Sequence, residues 1–355
     1  MAEMKSVLVV NSGSTSLKLN VVAADGSVAE VCSFAAAAAH RVWAVGHRVV
    51  HGADRFQRHV IIDDGVRAAI EALTPWAPLH NGPALAAIDA ALRALPDVPH
   101  VAVFDTAFHR SIPEAASVYA VPRYWRDEWS VRRFGFHGLS VAWCSERATA
   151  LLDRPAEGLR LVVCHLGGGC SITAVRDGRS VDTTMGFSPL EGVPMATRSG
   201  SIDPAVMIYL LRERGMTLNA LEQELNYESG LKALAGGSGD MLDIERRIGA
   251  GDRDARLAID VFVHRVAGAV GSMAVAAGGI DALVFTGGIG DGSVQVRARI
   301  AERLGFLGVA LDPERNESLR PDGDVAAPSS GVRVLVVRTR EELVIARAVL
   351  AAVGV

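Results

Sequence analysis

Cysteine is scarce. Cys32, Cys144, Cys164 and Cys170 are the only four in 355 residues, and no two are spaced as a CxxC pair. They read as reduced thiols of a cytosolic protein, and no signal peptide is read at the N-terminus. Basic excess is missing too: the net charge is -4 and no stretch is charge-blocked, which excludes the electrostatic footprint of a nucleic-acid binder. Long apolar runs are also lacking. The uncharged stretch Val266 to Ile280 is glycine-rich and shorter than the roughly 20 apolar residues that cross a bilayer, so no membrane span is expected.

Half of the residues are hydrophobic, enough for a large core, and the length suits about two domains. The most distinctive stretch is LVVCHLGGGCSITAVRDG, Leu161 to Gly178: an apolar strand, a turn at Gly167, Gly168 and Gly169, and a second strand closing on Asp-Gly. Val7 to Gly26 repeats that plan around NSGST. Glycine turns leave backbone N–H groups unshielded for phosphate oxygens, although each stretch alone also fits a plain hairpin. The pair suggests a duplicated fold with a site between its halves. Hydroxyls at Ser12, Ser14, Thr15 and Ser16, followed by Lys18, give the first turn donors that a plain hairpin does not need.

Further along, VWAVGHRVVH has strand composition but ends in Arg48 and His51, costly to bury without a partner. Pro75, Pro78, Gly82 and Pro83 predict an irregular loop centred on His80, ahead of a helix through Leu95. Val101 to His109 reads as a buried strand with Asp105 at its C-terminal end, where α/β sheets place functional groups, or where an Asp caps a turn. In RRFGFHG, His137 is either a loop side chain held at a chosen angle or a core histidine on a backbone carbonyl. Thr183 to Pro204 is long and aperiodic, and Arg198 within it has the surroundings of an anion-binding loop. A long helix is expected over Ala255 to Ala277, and a strand into a third glycine turn over Ala282 to Gly292. Glu341 and Glu342 stand where the last strand hands over to a helix; one of them ligates a metal, or both favour the helix N-terminus.

NSGSTSLK, GHRVVHG, APLHN, VFDTAFH, FGFHG, HLGGG, TRSGSIDP, FTGGIG and TREELVIA follow one another in the order found in acetate kinases. The chain resembles that family over nearly its whole length. The family is grouped with sugar kinases, actin and the heat-shock chaperone ATPases. The resemblance implies an α/β fold of two duplicated actin-like (ribonuclease H-like) βββαβαβα domains with the nucleotide in the cleft between them. The first would cover 1–107 and take back 343–355. The second, on the adenosine side and forming a homodimer, would cover 108–342.

Carried over position by position, the resemblance implies that Arg48 and Arg198 clamp the carboxylate substrate and the transferring phosphoryl group. Asp105 would lie beside the arginines and magnesium, and His137 would hydrogen-bond to the phosphoryl, with His80 and His165 nearby. Asn11, Ser12, Gly13, Ser14, Lys18, Gly167, Gly168, Gly169, Asp240, Gly287, Gly288 and Gly290 would bind the nucleotide or its phosphates. Asn11 and Glu341 are implied as ligands of Mg2+ or Mn2+. Val50, Leu79, Phe136 and Pro189 match the small pocket for the acetate methyl group.

Departures cluster near the nucleotide. Gly168 stands in place of Asn, Leu242 of Arg, Arg340 of Asn, and Asp291 with Gly292 of a Glu-Asn pair; Ser201 replaces an aspartate, and Leu139 and Val141 replace polar residues. The segment from Phe34 to Val42 is shorter than in the family. The implied reaction is reversible phosphoryl transfer from ATP to acetate, giving ADP and acetyl phosphate. Because the acceptor is already ionised at neutral pH, no general base is needed. The alternatives are a propionate-preferring or pyrophosphate-linked carboxylate kinase, and a non-catalytic nucleotide switch that would have no use for Arg48, Asp105, His137, Arg198 and Glu341.

Overall fold

The computed structural model describes residues 6–12 and 17–354, with backbone alone at 78 and 79. Gly13, Ser14 and the Leu79 side chain, all expected at the site, lie outside the described residues. The chain divides into two α/β units. The first comprises Met1–Arg110, Phe136–Trp143 and Arg340–Val355; the second comprises Ser111–Gly135 and Cys144–Thr339.

In the first unit, β1 (Val7–Ser12), β2 (Leu17–Val22), β3 (Val28–Val31), β4 (Ala44–Val49), β5 (Val60–Ile61) and β6 (His100–Phe104) form one mixed sheet in the order β3-β2-β1-β4-β6-β5. β1, β4 and β6 run parallel at its centre, and the other three strands join antiparallel. Alternation along the central strands sorts the core between two faces. Val7, Val9, Val101 and Val103 pack with Ile345, Ala346 and Val349 of the last helix, Glu341–Ala352. Leu8, Val10 and Val45 face the opposite way, with Ala87 and Ala91 of the helix Pro78–Ala94.

That second helix corrects the loop expected around His80. The chain is already helical from Pro78, whose missing N–H falls in the first turn, where it would have no helical acceptor. Pro83 lies inside the helix and forgoes one ladder bond, while Leu85, Ile88 and Ala91 are buried. The strand expected through His109 also ends early, at Phe104; Asp105–Ser111 is a 3-10 helix.

The second unit repeats the plan. β7 (Arg160–Leu166), β8 (Cys170–Arg176), β9 (Arg179–Thr183), β10 (Ala282–Thr286), β11 (Gly323–Asp324) and β12 (Arg333–Val336) lie in the order β9-β8-β7-β10-β12-β11. Here too the first three strands are antiparallel, β7, β10 and β12 parallel, and the far edge strand antiparallel. The duplication suggested by the two glycine hairpins is thus a duplication of whole sheets. The helix Arg253–Ala277 packs on β7, β8 and β9; Asp252 caps its start and Gly278, at φ +74°, ends it. It is long and apolar enough to cross a membrane, but eleven of its residues are buried within this unit.

The third glycine run is not a turn. Gly287–Gly292 is a short helix entered directly from β10. Gly287 makes the entry at φ +80°, and a Cβ there would stand 2.7 Å from the carbonyl oxygen of Leu166. No side chain fits that approach.

Candidate active site

In the first unit, the parallel strands β1, β4 and β6 carry Asn11, Arg48 and Asp105 at or just beyond their carboxyl ends, the edge at which α/β sheets bind ligands. Arg48 meets Asp105 through two hydrogen bonds, Nε to Oδ1 at 3.1 Å and Nη2 to Oδ2 at 2.6 Å. Its Nη1 donates to Asn11 Oδ1 at 3.2 Å, and Asn11 Nδ2 donates to Glu341 Oε2 at 3.1 Å. Glu341 Oε2 is itself 3.9 Å from Arg48 Nε. Glu342, by contrast, pairs with Arg340 at 3.3 Å. Glu341 is therefore the glutamate of the cluster.

Two carboxylates here share one guanidinium. Burial alone would lower the Arg48 pKa, but Asp105 and Glu341 outweigh it and hold the guanidinium above its usual range. Burial raises the Asp105 pKa and Glu341 adds to the rise, against the pull of Arg48. The cluster is short of positive charge. Mg2+ ordinarily takes one or two protein carboxylates and completes its shell with water and phosphate oxygens, and Glu341, the more exposed of the two acids, suits that arrangement. Among the described residues no group of three or more His, Cys, Asp or Glu offers an all-protein metal cage.

His137 has φ +57°, a left-handed backbone that a non-glycine residue seldom adopts. It stands just before the helix Gly138–Leu152 and accepts the N–H of Val141 at 2.9 Å. A Cβ on Gly138 would overlap the carbonyl oxygen of Asp105. The backbone beside His137 is thereby pressed against the residue that binds Arg48. Phe136 and Val50 are buried, and Phe136 stands edge to face with His51 at 5.3 Å. Lys18 lies opposite Asn11 in the β1–β2 register and is exposed, whereas Ser12 is buried. His80, half-buried, is in the first turn of its helix.

The second unit brings together another set. Gly167 N–H turns inward to Gly169 O at 3.0 Å, leaving the N–H groups of Gly168 and Gly169 as the turn's donors. Gly168 O accepts from Ala196 at 3.3 Å, which joins the turn to the 184–203 segment. A Cβ on Gly167 would lie 3.7 Å from Gly288 N and 3.9 Å from His165 Nε2, so the turn, the start of the glycine helix and His165 are neighbours. Gly290 lies farther along that helix, near the Cys164 carbonyl. Arg198 donates from Nη1 to the Pro189 carbonyl at 2.8 Å and has no carboxylate at ion-pair distance among the described residues. Burial holds its guanidinium below the usual arginine range. Cys170 beside the turn is no nucleophile, because burial pushes its thiol up to about 12. None of the four cysteines forms a disulfide among the described residues. Asp240 is exposed and caps the helix Met241–Gly249 through Asp243 N–H at 3.0 Å.

Two residues with clear work in the first unit were not anticipated as site residues. Asn81 accepts the N–H of His51 at 3.2 Å and donates to its carbonyl at 3.1 Å, pinning the chain just past Arg48 and Val50. Buried His109 donates from Nε2 to the Phe136 carbonyl at 2.9 Å, and burial pushes its pKa down to about 4. Both lie within motifs already noted, APLHN and VFDTAFH, but their partners are too far along the chain to leave a local pattern.

A model of the acetokinase family matches residues 30–347. The chain belongs to that family. It is 50% identical over 305 residues to the acetate kinase of Gloeobacter violaceus, covering 85% of this chain and 75% of that protein. It is equally identical over 309 residues to the acetate kinase of Deinococcus deserti, covering 86% and 77%. Among solved structures of the family, a propionate kinase from Francisella tularensis matches with a TM-score of 0.89 at 34% identity, over 98% of this chain and 100% of that one. Porphyromonas gingivalis acetate kinase matches with a TM-score of 0.88 at 33% identity, over 99% and 100%.

Proposed function

We propose that the chain is an acetate kinase, transferring a phosphoryl group reversibly between ATP and acetate to form ADP and acetyl phosphate. The observation that carries this reading is the Asn11–Arg48–Asp105–Glu341 cluster at the strand ends, in a chain whose relatives are named acetate kinases. Arg48 and Arg198 bind the acceptor carboxylate and the transferring group. The two differ in how they are held: Arg48 is locked by two acids, while Arg198 rests on a neutral carbonyl and can give its charge to an anion. His137, on its constrained backbone, supplies a hydrogen bond to the phosphoryl oxygens.

Phosphoryl transfer passes through a loose transition state with charge on the equatorial oxygens, so positioned cations do most of the work. The carboxylate attacks directly, in line with the leaving oxygen, and no side chain need take a proton. Asn11 and Glu341 are proposed to hold Mg2+ or Mn2+, with Asp105 beside them on Arg48; such an ion, when bound, neutralises charge on the phosphate oxygens. Val50, Leu79, Phe136 and Pro189 are proposed to enclose the methyl group. Lys18, Gly168, Gly169 and the helix from Gly287 are proposed to face the phosphates and nucleotide.

A second copy of the chain is proposed to bind the second unit, supported by the helix Pro204–Glu213, which has no buried residue although Val206, Ile208 and Tyr209 lie on it. The experiment that tests the activity is hydroxylamine trapping of acyl phosphate with acetate, propionate and butyrate, each against ATP, GTP and pyrophosphate. Acetate with ATP should give the highest kcat/KM. Absence of acyl phosphate from every pair would refute the proposal in favour of a nucleotide switch.

A further inference from the structure

Three side chains outside the cluster meet at the root of the aperiodic 184–203 segment. Arg133 Nη1 donates to the carbonyls of Thr183 at 2.9 Å and Thr184 at 3.1 Å, its Nε to Ala116 O at 3.3 Å, and its Nη2 to Glu191 Oε1 at 2.9 Å. The other oxygen of Glu191 accepts from the Tyr119 hydroxyl, whose own oxygen accepts the N–H of Phe187 at 2.9 Å. The guanidinium also lies over the Tyr119 ring, 5.6 Å from its centroid. Backbone bonds reinforce the knot: Phe134 and Gly135 both donate to Gly186 O, at 3.0 and 3.3 Å. Gly186 has no space for a side chain, because a Cβ would overlap both Glu191 and the Tyr119 hydroxyl.

A segment without helix or strand has no ladder to hold it in place. Here side chains take over that task at Thr183, Thr184, Phe187 and Glu191, so the stretch between is fixed at both ends. Pro189 lies inside it, two residues before Glu191. Charge-assisted bonds are the stronger ones, and the bond of Arg133 to Glu191 therefore sets how far the stretch can yield.

We propose that Arg133, Glu191 and Tyr119 are positioning residues that set acceptor selectivity by fixing where Pro189 stands. This rests on the acyl-phosphate reading above, in which Pro189 faces the acetate methyl group. The three touch no reacting atom and act through that wall. Acetate and propionate differ by one methylene, which a well-formed pocket discriminates by about 10- to 200-fold. A wall free to retreat loses that discrimination without loss of nucleotide binding.

The test uses the full chain carrying Glu191→Gln or Tyr119→Phe. The first keeps the side-chain volume but removes the charge paired with Arg133. The second keeps the ring under Arg133 and removes only the hydroxyl bridging Glu191 to Phe187. kcat and KM are measured by hydroxylamine trapping for acetate, propionate and butyrate at saturating ATP, and for ATP at saturating acetate. In both variants the acetate-to-propionate ratio of kcat/KM should fall by about tenfold and the acetate KM should rise, with the ATP KM within about twofold of wild type. An unchanged ratio in a variant that melts cooperatively overturns the proposal. So does a parallel loss towards acetate and ATP, the mark of a merely structural role. If Glu191→Gln does not fold, Tyr119→Phe decides alone. A wild-type chain that makes no acyl phosphate overturns the functional reading and this one with it, whereas an active wild type with unaltered ratios in the variants overturns only this one.

Discussion

Asp105 grips Arg48 through both carboxylate oxygens, and its side chain is 1% exposed against 14% for the arginine. The acid is the inner partner and the guanidinium the outer one, so Asp105 holds Arg48 in place from below. Asp105→Asn keeps the shape but withdraws the charge, leaving a buried guanidinium with Glu341 at 3.9 Å as its remaining acid. Breaking a buried pair costs about 3–5 kcal/mol, so the urea midpoint should drop clearly. Turnover should fall on the order of 100-fold or more through misplacement of Arg48. Wild-type stability in this variant would contradict the pairing.

Arg198 should behave in the opposite way. Its acceptor is the neutral Pro189 carbonyl, and burying its charge is a cost to the fold. Arg198→Ala should leave the melting temperature unchanged or raise it while lowering kcat on the order of 10³ or more, by analogy with arginine fingers. Arg198→Lys should rescue little, because an ammonium lacks the planar fork. Near-normal turnover in the alanine variant would remove Arg198 from the reaction.

Acid should destabilise the first unit through histidines that the fold keeps neutral. His100 Nε2 donates to the Leu95 carbonyl at 2.9 Å, so its Nδ1 accepts from His47 Nε2, also at 2.9 Å, and His47 Nδ1 is left as a buried acceptor without a donor. Burial, aided by His100, pushes His47 down to about 3, and burial pushes His109 down to about 4. Both lie below the roughly 6.5 of an unfolded histidine. The unfolded chain therefore takes up protons that the folded chain refuses. This part of the stability is complete above about pH 6.5 and declines as pH falls towards 4, by up to about 1.4 kcal/mol per unit for each histidine. Urea unfolding at pH 7.5, 6 and 5 should show the decline, and His47→Gln should make it shallower.

The bare turn at Gly168 invites a gain of function. Nothing lies within 4 Å of a Cβ placed there, and its φ is not in the left-handed region, so Gly168→Asn should fold normally. In the proposed function this turn faces the phosphates, and an amide donor there should lower the ATP KM by about three- to tenfold, the yield of one added hydrogen bond. An unchanged KM would mean that the turn does not face the nucleotide.

How much of this was legible in the sequence depended on the range of the interaction. The hairpins β1–β2 and β7–β8 were readable because strand, glycine turn and strand follow one another directly. Asp105 was readable from the apolar run that ends beside it. The helix from Pro78 was hidden by its own prolines, which mark breaks in most settings but are tolerated here at a first turn and against a buried face. His109, Tyr119, Arg133 and Glu191 were hidden for a different reason. Their partners lie 27, 72 and 58 residues away, where neither periodicity nor spacing reports them.

The last helix, Glu341–Ala352, covers one face of the sheet built from the first strands, with Ile345 and Val349 pressed so closely on Gly46 that a Cβ there would stand 2.6 Å from each. During synthesis β1, β4 and β6 are made well before this helix, so the apolar side that it covers stays open until Glu341–Ala352 has followed. The same helix begins with Glu341. A chain that stops before Glu341 therefore lacks both the cover of that apolar face and the carboxylate that accepts from Asn11.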